Sequence, residues 1–249
     1  MLHPADRPAL KQKAKEILQA NSPRIYLVGI LSSLLTTVGV GATEWPTIRV
    51  MLRADSLEEM VYLMEQSQAI STGFALSLAT FVMTLFLNLV TCGWQLFTLR
   101  ASRGEETGGI ETLFACFQQF WRFLLAHLLM HLFTFLWSML FIIPGIIAGY
   151  SYTQTIHIML DNPDISPLEA IAASKQLMRG HKMEYFILEL SFLGWAYLSV
   201  FTFGLLGIWL NPYMQVTFAN YYNALIGWQP AQPQTEEFTP PEPEDWWNQ

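Results

Sequence analysis

Long apolar runs, separated by short polar segments, dominate this sequence. The runs cover Ile25 to Ala42, Gly73 to Phe97, Phe123 to Leu160 and Tyr185 to Trp228. An α-helix needs about 20 apolar residues to cross about 30 Å of hydrocarbon, so each run is long enough for a membrane span, the first only marginally. The last two runs are about twice that length, which predicts that each crosses twice.

The basic residues indicate how the spans are oriented. Loops rich in Lys and Arg stay on the cytoplasmic side of a membrane. Apart from Arg49 and Arg53, all Lys and Arg residues fall into three clusters, each just before a long apolar run: Arg7, Lys11, Lys13, Lys15 and Arg24; Arg100, Arg103 and Arg122; and Lys175, Arg179 and Lys182. The clusters share one side only if an even number of spans separates them, so we expect both termini to be cytoplasmic.

Breaks inside the two longest runs complete the predicted topology. Proline fits the first turn of a helix but not its interior, so Pro144 and Gly145 divide the third run. A turn near 202–207 divides the fourth. We therefore predict an all-α membrane helix bundle over residues 1–228, with six spans near 25–42, 73–97, 123–143, 144–160, 185–203 and 205–227. The alternative is five spans, with a turn at Asn211 and Pro212 and a final segment too short to cross comfortably.

Each cytoplasmic segment before a span also has the pattern of an amphipathic helix on the membrane surface. In the first, one face carries Leu10, Ala14, Ile17 and Leu18, against Lys11 and Lys15. The second has an aromatic stripe that leads to Arg122. Its apolar members are Ile110, Leu113, Phe114, Phe117, Phe120 and Trp121.

The third surface helix has the clearest start and stop signals. Ser166, Pro167 and Glu169 combine a Ser cap, proline at the first helical position and a capping-box Glu, and Gly180 marks the end. A unit of one surface helix and two spans thus occurs three times, which suggests three parallel repeats.

Two further segments are polar. The predicted external loop 43–72 contains Ser56 and Glu59 at capping-box spacing, which indicates a short helix there. The C-terminal segment 229–249 has five prolines, five acidic residues and no basic residue, so we expect a disordered acidic tail. Trp246 and Trp247 near its end are candidates for a linear motif that docks on a partner protein.

Composition excludes several classes of function. The basic clusters alternate with apolar runs and form no continuous surface for nucleic acid. The sequence has no HExxH, Walker loop, GxSxG, CxxC pair or Gly-rich dinucleotide turn, so nothing supports an enzyme or a bound cofactor. Cys92 and Cys116 both fall on the predicted cytoplasmic side, where we expect reduced thiols and no disulfide.

Part of the chain, roughly residues 110 to 225, resembles a known family. The likeness is carried by the run from Phe135 to Ile147, then Tyr150-Ser151-Tyr152, Asp161-Asn162-Pro163, Glu169-Ala170-Ile171, Ser174, Leu177-Met178, Gly180-His181-Lys182, the run from Leu190 to Trp195, Asn211-Pro212-Tyr213, Thr217, Asn220 and Tyr222. These residues are similar to an uncharacterised bacterial membrane family, common in Firmicutes, known as domain of unknown function nine-seven-five.

The resemblance implies a multi-span protein of the bacterial plasma membrane, without an assigned activity or catalytic residues. Two positions depart from the family pattern. Ala148 and Gly149 stand where relatives often carry Lys, and His157 stands where Tyr is frequent. A role for His157 would therefore be peculiar to this chain.

Ionisable side chains within the predicted spans form the first candidate site. Such groups cost roughly 2.5 to 3.5 kcal/mol at the centre of a membrane helix, so each needs an explanation. The candidate cluster is His127, His131, His157 and Glu189. Two His residues four apart, a third His and a carboxylate could bind a metal or relay protons. Interhelical hydrogen bonds explain them without a ligand, so we assign no metal.

Polar residues on the fourth and sixth spans form the second candidate site. A helix so rich in hydroxyls and amides cannot face lipid all round. The candidate cavity residues are Tyr150, Tyr152, Gln154, Tyr213 and Gln215. They predict either a midplane cavity for a small polar or amphipathic molecule or a hydrogen-bonded helix interface.

These patterns favour two functions over a third, a metal-dependent membrane enzyme that would use the His and Glu residues of the first candidate site. The first is a non-enzymatic small-molecule or lipid transporter, or its accessory, in contact with membrane lipid. The second is a structural or regulatory membrane protein that recruits a partner through its acidic tail.

Overall fold

Helices account for all regular structure that can be described. The computed structural model describes residues 3–36, 56, 58–59, 61–62, 74–202 and 205–229, apart from the side chains of 74–81 and 200. No β-strand occurs within these ranges, so the expectation of an all-α fold is confirmed. Most of the predicted external loop 43–72 and nearly all of the predicted tail 229–249 lie outside the described residues, as do 37–42 of the first predicted span.

The described helices follow the predicted order along the chain. They are α1 (Arg7–Ala20), α2 (Arg24–Thr36), α3 (Phe74–Arg103), a 3-10 helix (Ile110–Gln119), α4 (Phe120–Leu140), α5 (Ile142–Tyr152), α6 (Thr155–Asp161), α7 (Pro167–Leu177), α8 (Lys182–Phe201) and α9 (Gly207–Leu225). Two continuous helical stretches, Val82–Arg103 and Ile110–Leu140, are long and apolar enough to cross a membrane. The shorter α2 is also apolar.

Helix α7 begins and ends where the sequence predicts. The Ser166 hydroxyl accepts a hydrogen bond from the Glu169 N–H, and the Glu169 carboxylate accepts one from the Ser166 N–H. These bonds, the side-chain contact with Ser166 foremost, hold the pKa of Glu169 below its usual range. Gly180 follows the helix with a φ of 81°, which glycine adopts without steric cost. The cap predicted at Ser56 is also present, with the Glu59 N–H donating to the Ser56 hydroxyl at 3.1 Å.

Helices α4 and α5 form a hairpin that turns three residues earlier than Pro144. The turn residue is Phe141, whose backbone is extended, with φ −158° and ψ 149°. Pro144 is then the third residue of α5, where its missing N–H is harmless because the first four N–H groups of a helix have no partner in the helix. Gly145 lies against Ser138 of α4, and a Cβ at Gly145 would lie 2.8 Å from the Ser138 Cα.

The segment 144–160, predicted as one span, contains a helix break. Helix α5 ends at Tyr152 and α6 begins at Thr155. The buried Ser174 of α7 fills the break: its hydroxyl donates to the Ser151 carbonyl at 2.8 Å and accepts from the Gln154 N–H at 3.2 Å. Helix α7 therefore supplies the hydrogen bonds that the broken helix lacks.

The apolar face of α1 is covered by protein, which differs from the predicted position on the membrane surface. Leu10, Ala14 and Leu18 are buried. Leu10 packs with Tyr221 of α9, while Ala14 and Leu18 pack with residues of α2 and α3 that include Trp94. The helix is amphipathic, as predicted, but its apolar face packs against other helices of the same chain.

The expectation of free thiols is wrong in this structure. Cys92 of α3 and Cys116 of the 3-10 helix are joined by a disulfide, with their Cα atoms 6.3 Å apart. This separation lies within the usual disulfide range of about 4.4 to 6.8 Å. Gly93 permits the contact between these elements, because a Cβ there would overlap the Leu113 backbone. Close helix packing, which the sequence does not reveal, brings the two sulfur atoms together.

Polar side chains are buried and large apolar side chains are exposed in much of the described structure. The fully buried polar residues include Thr98, Thr155, Ser174, Thr217 and Asn220. At the tip of the α4–α5 hairpin, by contrast, Met139, Leu140, Phe141, Ile142 and Ile143 are all more than 60% exposed. Exposed apolar surface on this scale is unusual for a water-soluble domain.

Candidate functional site

The C-terminal ends of three helices meet in a polar network. Arg103 and Asp161 are the last residues of α3 and α6, and Tyr222 and Asn223 lie in the last turn of α9. The two guanidinium Nη atoms donate to the two Asp161 carboxylate oxygens, each at 2.7 Å. Arg103 Nε donates to Asn223 Oδ1 at 2.9 Å, and the Tyr222 hydroxyl donates to Asp161 Oδ2 at 2.8 Å. We call these four residues the Arg103 network.

The charges of the Arg103 network balance each other. The side chains of Arg103 and Asp161 are only 10% and 19% exposed. The cost of burying both charges is offset by the two parallel hydrogen bonds and by the opposite charge of the partner. A cation at the C-terminal end of α3 is further favoured by the helix dipole. Each member of the network bonds another member, so the network joins the ends of the three helices.

His157 lies beside this network. Its ring stacks on Tyr222, with the centroids 5.1 Å apart. The side chain is buried, and its Nδ1 atom has no hydrogen-bond partner among the described residues.

The structure does not gather the predicted ionisable cluster into one site. His127 Nδ1 lies 2.8 Å from the Phe123 carbonyl of its own helix. His131, one turn further along, is exposed, and Glu189 accepts a hydrogen bond from Tyr150 at 2.7 Å. In the described part of the chain, no group of three or more His, Cys, Asp or Glu residues could hold a metal ion.

Three of the predicted cavity residues lie in packed helix contacts. Tyr150 bonds Glu189 and thereby links α5 to α8. Tyr152 is buried against Phe133 of α4, with the ring centroids 6.4 Å apart. Gln154 is buried at the helix break, and its Oε1 atom has no partner among the described residues. These positions fit the helix-interface alternative.

Tyr213 lies elsewhere, in a groove between α1, α2, α8 and α9. Gln215, two residues further along α9, is half-buried and is not among the residues that line the groove. The groove has a volume of about 250 Å³. Its lining is Lys15, Leu18, Tyr26, Trp195, Leu206, Trp209, Leu210 and Tyr213. We call it the aromatic groove.

The aromatic groove combines four aromatic side chains with a single cation. Lys15 is exposed at its edge, and no acidic residue lines it. Flat aromatic rings contact acyl chains or ring systems over a large area, and an ammonium group attracts an anion. The arrangement suits an amphiphile with an acidic head and an apolar tail.

Sequence reasoning missed both the Arg103 network and the aromatic groove. In the sequence, Arg103 serves as a topology signal, and Lys15 serves both as a topology signal and as part of the polar face of the first amphipathic helix. Asp161 enters only as part of a family-like motif. One signal is available: Asp161 is the first acid after a long apolar run, a position at which a membrane protein commonly pairs a carboxylate with a cation. No comparable signal pointed to the groove, because its residues come from four separate helices.

Comparison with known proteins supports the resemblance seen in the sequence. Residues 139–228 match the model of a family described as "Protein of unknown function (DUF975)". The predicted resemblance is thus confirmed for a segment from the end of α4 to just beyond α9, which contains Asp161, Ser174 and Tyr222. No curated protein and no solved structure matches the chain.

Proposed function

We propose that this chain is a multi-pass integral membrane protein and not an enzyme. It binds an acidic amphiphile in the aromatic groove and acts in small-molecule or lipid transport, or as an accessory to a transporter. The six predicted spans and the cytoplasmic location of both termini, in a bacterial plasma membrane, are part of this proposal. The lining of the aromatic groove is the observation that carries the functional part.

The distribution of exposed side chains supports a membrane location. Helix α4 exposes Leu128, Leu132 and Phe135 along its length, and α8 exposes Phe186, Leu193 and Phe201. Contiguous apolar surface on this scale is unfavourable in water and favourable in lipid.

The packing of the basic clusters supports the proposed orientation. Lys13 of the first cluster and Arg103 of the second both face the Trp228 ring, at 5.9 Å and 5.5 Å from its centroid. Leu10, within the first cluster, shares a core with Met178, within the third. The three clusters therefore lie close together, as one cytoplasmic face requires.

Ligand binding in the aromatic groove can be tested with oleate and its neutral methyl ester as probes of the purified full chain. Trp209→Ala should weaken the binding of both probes by about tenfold or more, because a large apolar contact is lost. Lys15→Gln should weaken the binding of oleate but not of the ester, and so abolish the protein's preference for oleate over the ester. Trp121→Ala, which removes a 78% exposed ring outside the groove, is the matched control. Equal oleate binding by all four proteins would contradict the proposal.

Orientation can be tested separately by cysteine labelling in intact cells. Glu58→Cys, in the predicted external loop, should react with a membrane-impermeant maleimide. Arg179→Cys should react only after the cells are opened. Both residues are exposed, so access to the reagent depends on the side of the membrane. Labelling of position 179 from outside intact cells would overturn the proposed topology.

A further inference from the structure

A second cavity lies between the C-terminal end of α3, the 3-10 helix, the start of α4 and the end of α6. Its volume is about 210 Å³. Four polar side chains line it, Arg100, Gln118, Gln119 and Arg122, and the remaining lining residues are apolar or Cys116. No carboxylate is among the lining residues, so two positive charges face the cavity without a negative one. We call it the arginine cavity.

Arg122 is held in place by three hydrogen bonds. Its Nε donates to the Ile165 carbonyl at 3.0 Å, one Nη to Gln119 Oε1 at 2.6 Å, and the other Nη to the Asn162 carbonyl. A guanidinium carries five N–H donors, so two remain after these bonds. A cation that is already oriented loses little conformational freedom when it binds an anion.

Of the two arginines that line the cavity, Arg100 is the one whose side chain is unpaired among the described residues. No hydrogen bond or ion pair joins its side chain to another residue in the described part of the chain, whereas Arg103, three residues further along α3, is paired with Asp161 and Asn223. The nearest acid that acts on Arg122 is Asp164, which is exposed and does not line the cavity. The positive charge of the cavity is therefore largely available to a ligand.

The chemistry and size of the arginine cavity select a small oxyanion. Guanidinium groups bind phosphate through paired hydrogen bonds, and the Gln118 amide adds a further donor. Its volume of about 210 Å³ is large enough for a phosphate group. The exposed Phe114 and Trp121 of the neighbouring segment would, in the proposed topology, lie at the membrane interface. Basic pockets between helices at that level bind lipid head groups.

We infer that the arginine cavity binds a phosphate group, carried either by an anionic phospholipid or by a soluble phosphate ester. Arg100 supplies the free guanidinium, and Arg122 supplies an oriented one. This site is separate from the aromatic groove, and it does not depend on a ligand there.

Binding to the full chain tests the inference with two probes. Glycerol 3-phosphate added to detergent-purified protein reports a soluble ester, and retention of phosphatidylglycerol over phosphatidylcholine, measured by native mass spectrometry, reports a head group. Arg100→Gln should weaken whichever probe binds by about tenfold. Arg179→Gln makes the same charge change at an exposed site outside the cavity and should leave binding unchanged. Arg100 is chosen over Arg122 because Arg122 also holds the loop after α6.

The two probes distinguish a soluble phosphate ester from a lipid head group. Saturable binding of glycerol 3-phosphate that is lost in Arg100→Gln establishes a soluble ligand. Selective retention of phosphatidylglycerol alone, lost in the same variant, establishes a lipid head group. Absence of binding by both probes, or equal losses in Arg100→Gln and Arg179→Gln, would overturn the inference. Loss of a probe in Arg100→Gln but not in Lys15→Gln assigns its binding to the arginine cavity, and the reverse assigns it to the aromatic groove. Failure of one proposal is therefore distinguishable from failure of the other.

Discussion

The guanidinium of Arg103 and the carboxylate of Asp161 face each other through two parallel hydrogen bonds of 2.7 Å. Residues 58 apart in sequence thereby fix the ends of α3 and α6, and Asn223 and Tyr222 add the end of α9. The paired geometry is specific to arginine, because lysine cannot donate two parallel bonds to one carboxylate.

Removing one member of this pair should destabilise the fold. Asp161→Asn leaves Arg103 buried without a matching charge, which should lower the free energy of unfolding by roughly 3 kcal/mol. Arg103→Lys should cost less, since the charge remains but the paired bonds are lost. Thermal unfolding in detergent measures both, with Arg179→Lys as the exposed control. Wild-type stability of Asp161→Asn would show that the pair does not hold the helix ends.

Ser174 should be essential for the break between α5 and α6. Ser174→Ala removes the hydroxyl that bonds the Ser151 carbonyl and the Gln154 N–H, and an unpaired buried polar group costs roughly 1 to 3 kcal/mol. Ser138→Ala is the matched control, because the Ser138 hydroxyl is exposed and bonds only a carbonyl of its own helix. Denaturant unfolding monitored by circular dichroism should show the loss for Ser174→Ala alone. Equal stability of the two variants would contradict this role.

Gly145 and Gly149 should respond differently to the same substitution. A Cβ at Gly145 would collide with Ser138, whereas a Cβ at Gly149 would meet nothing within 4 Å. Gly145→Val should therefore force α4 and α5 apart at a cost of roughly 1 to 3 kcal/mol, while Gly149→Val should be tolerated. The melting temperatures of the two variants, compared in the same detergent, test the packing of the hairpin. A lower melting temperature for Gly149→Val than for Gly145→Val would contradict it.

The bond between Cys92 and Cys116 should be detectable chemically. Denatured but unreduced protein should resist alkylation, and prior reduction should add two alkyl groups by mass. The disulfide closes a loop with a sequence separation of 24, so its loss should lower stability by roughly 3 kcal/mol. Cys92→Ser and Cys116→Ser should each show this loss, and a reductant should then have no further effect. Full alkylation of both cysteines without reduction would show that they remain thiols.

Several local features could be predicted because neighbouring residues decide them. The cap at Ser166 and Glu169, the stop at Gly180 and the helical hairpin around Pro144 all depend on residues within a few positions of one another. Even there, the hairpin turns at Phe141 and not at Pro144. Proline is tolerated at any position in the first turn of a helix, so it does not mark the first residue of the helix.

The sequence by itself determined the helical character of the chain, the apolar runs and the amphipathic faces, because these follow from the order of side chains along a helix. Only the tertiary structure decided that α1 packs against α9, that Asp161 pairs with Arg103 and that Cys92 meets Cys116. Only it placed Tyr213 in the lining of the aromatic groove, Tyr150 beside Glu189 and His157 beside Tyr222. Such contacts join residues distant in sequence, and they depend on how helices rotate and approach one another, which small differences such as Gly93 and Gly145 control.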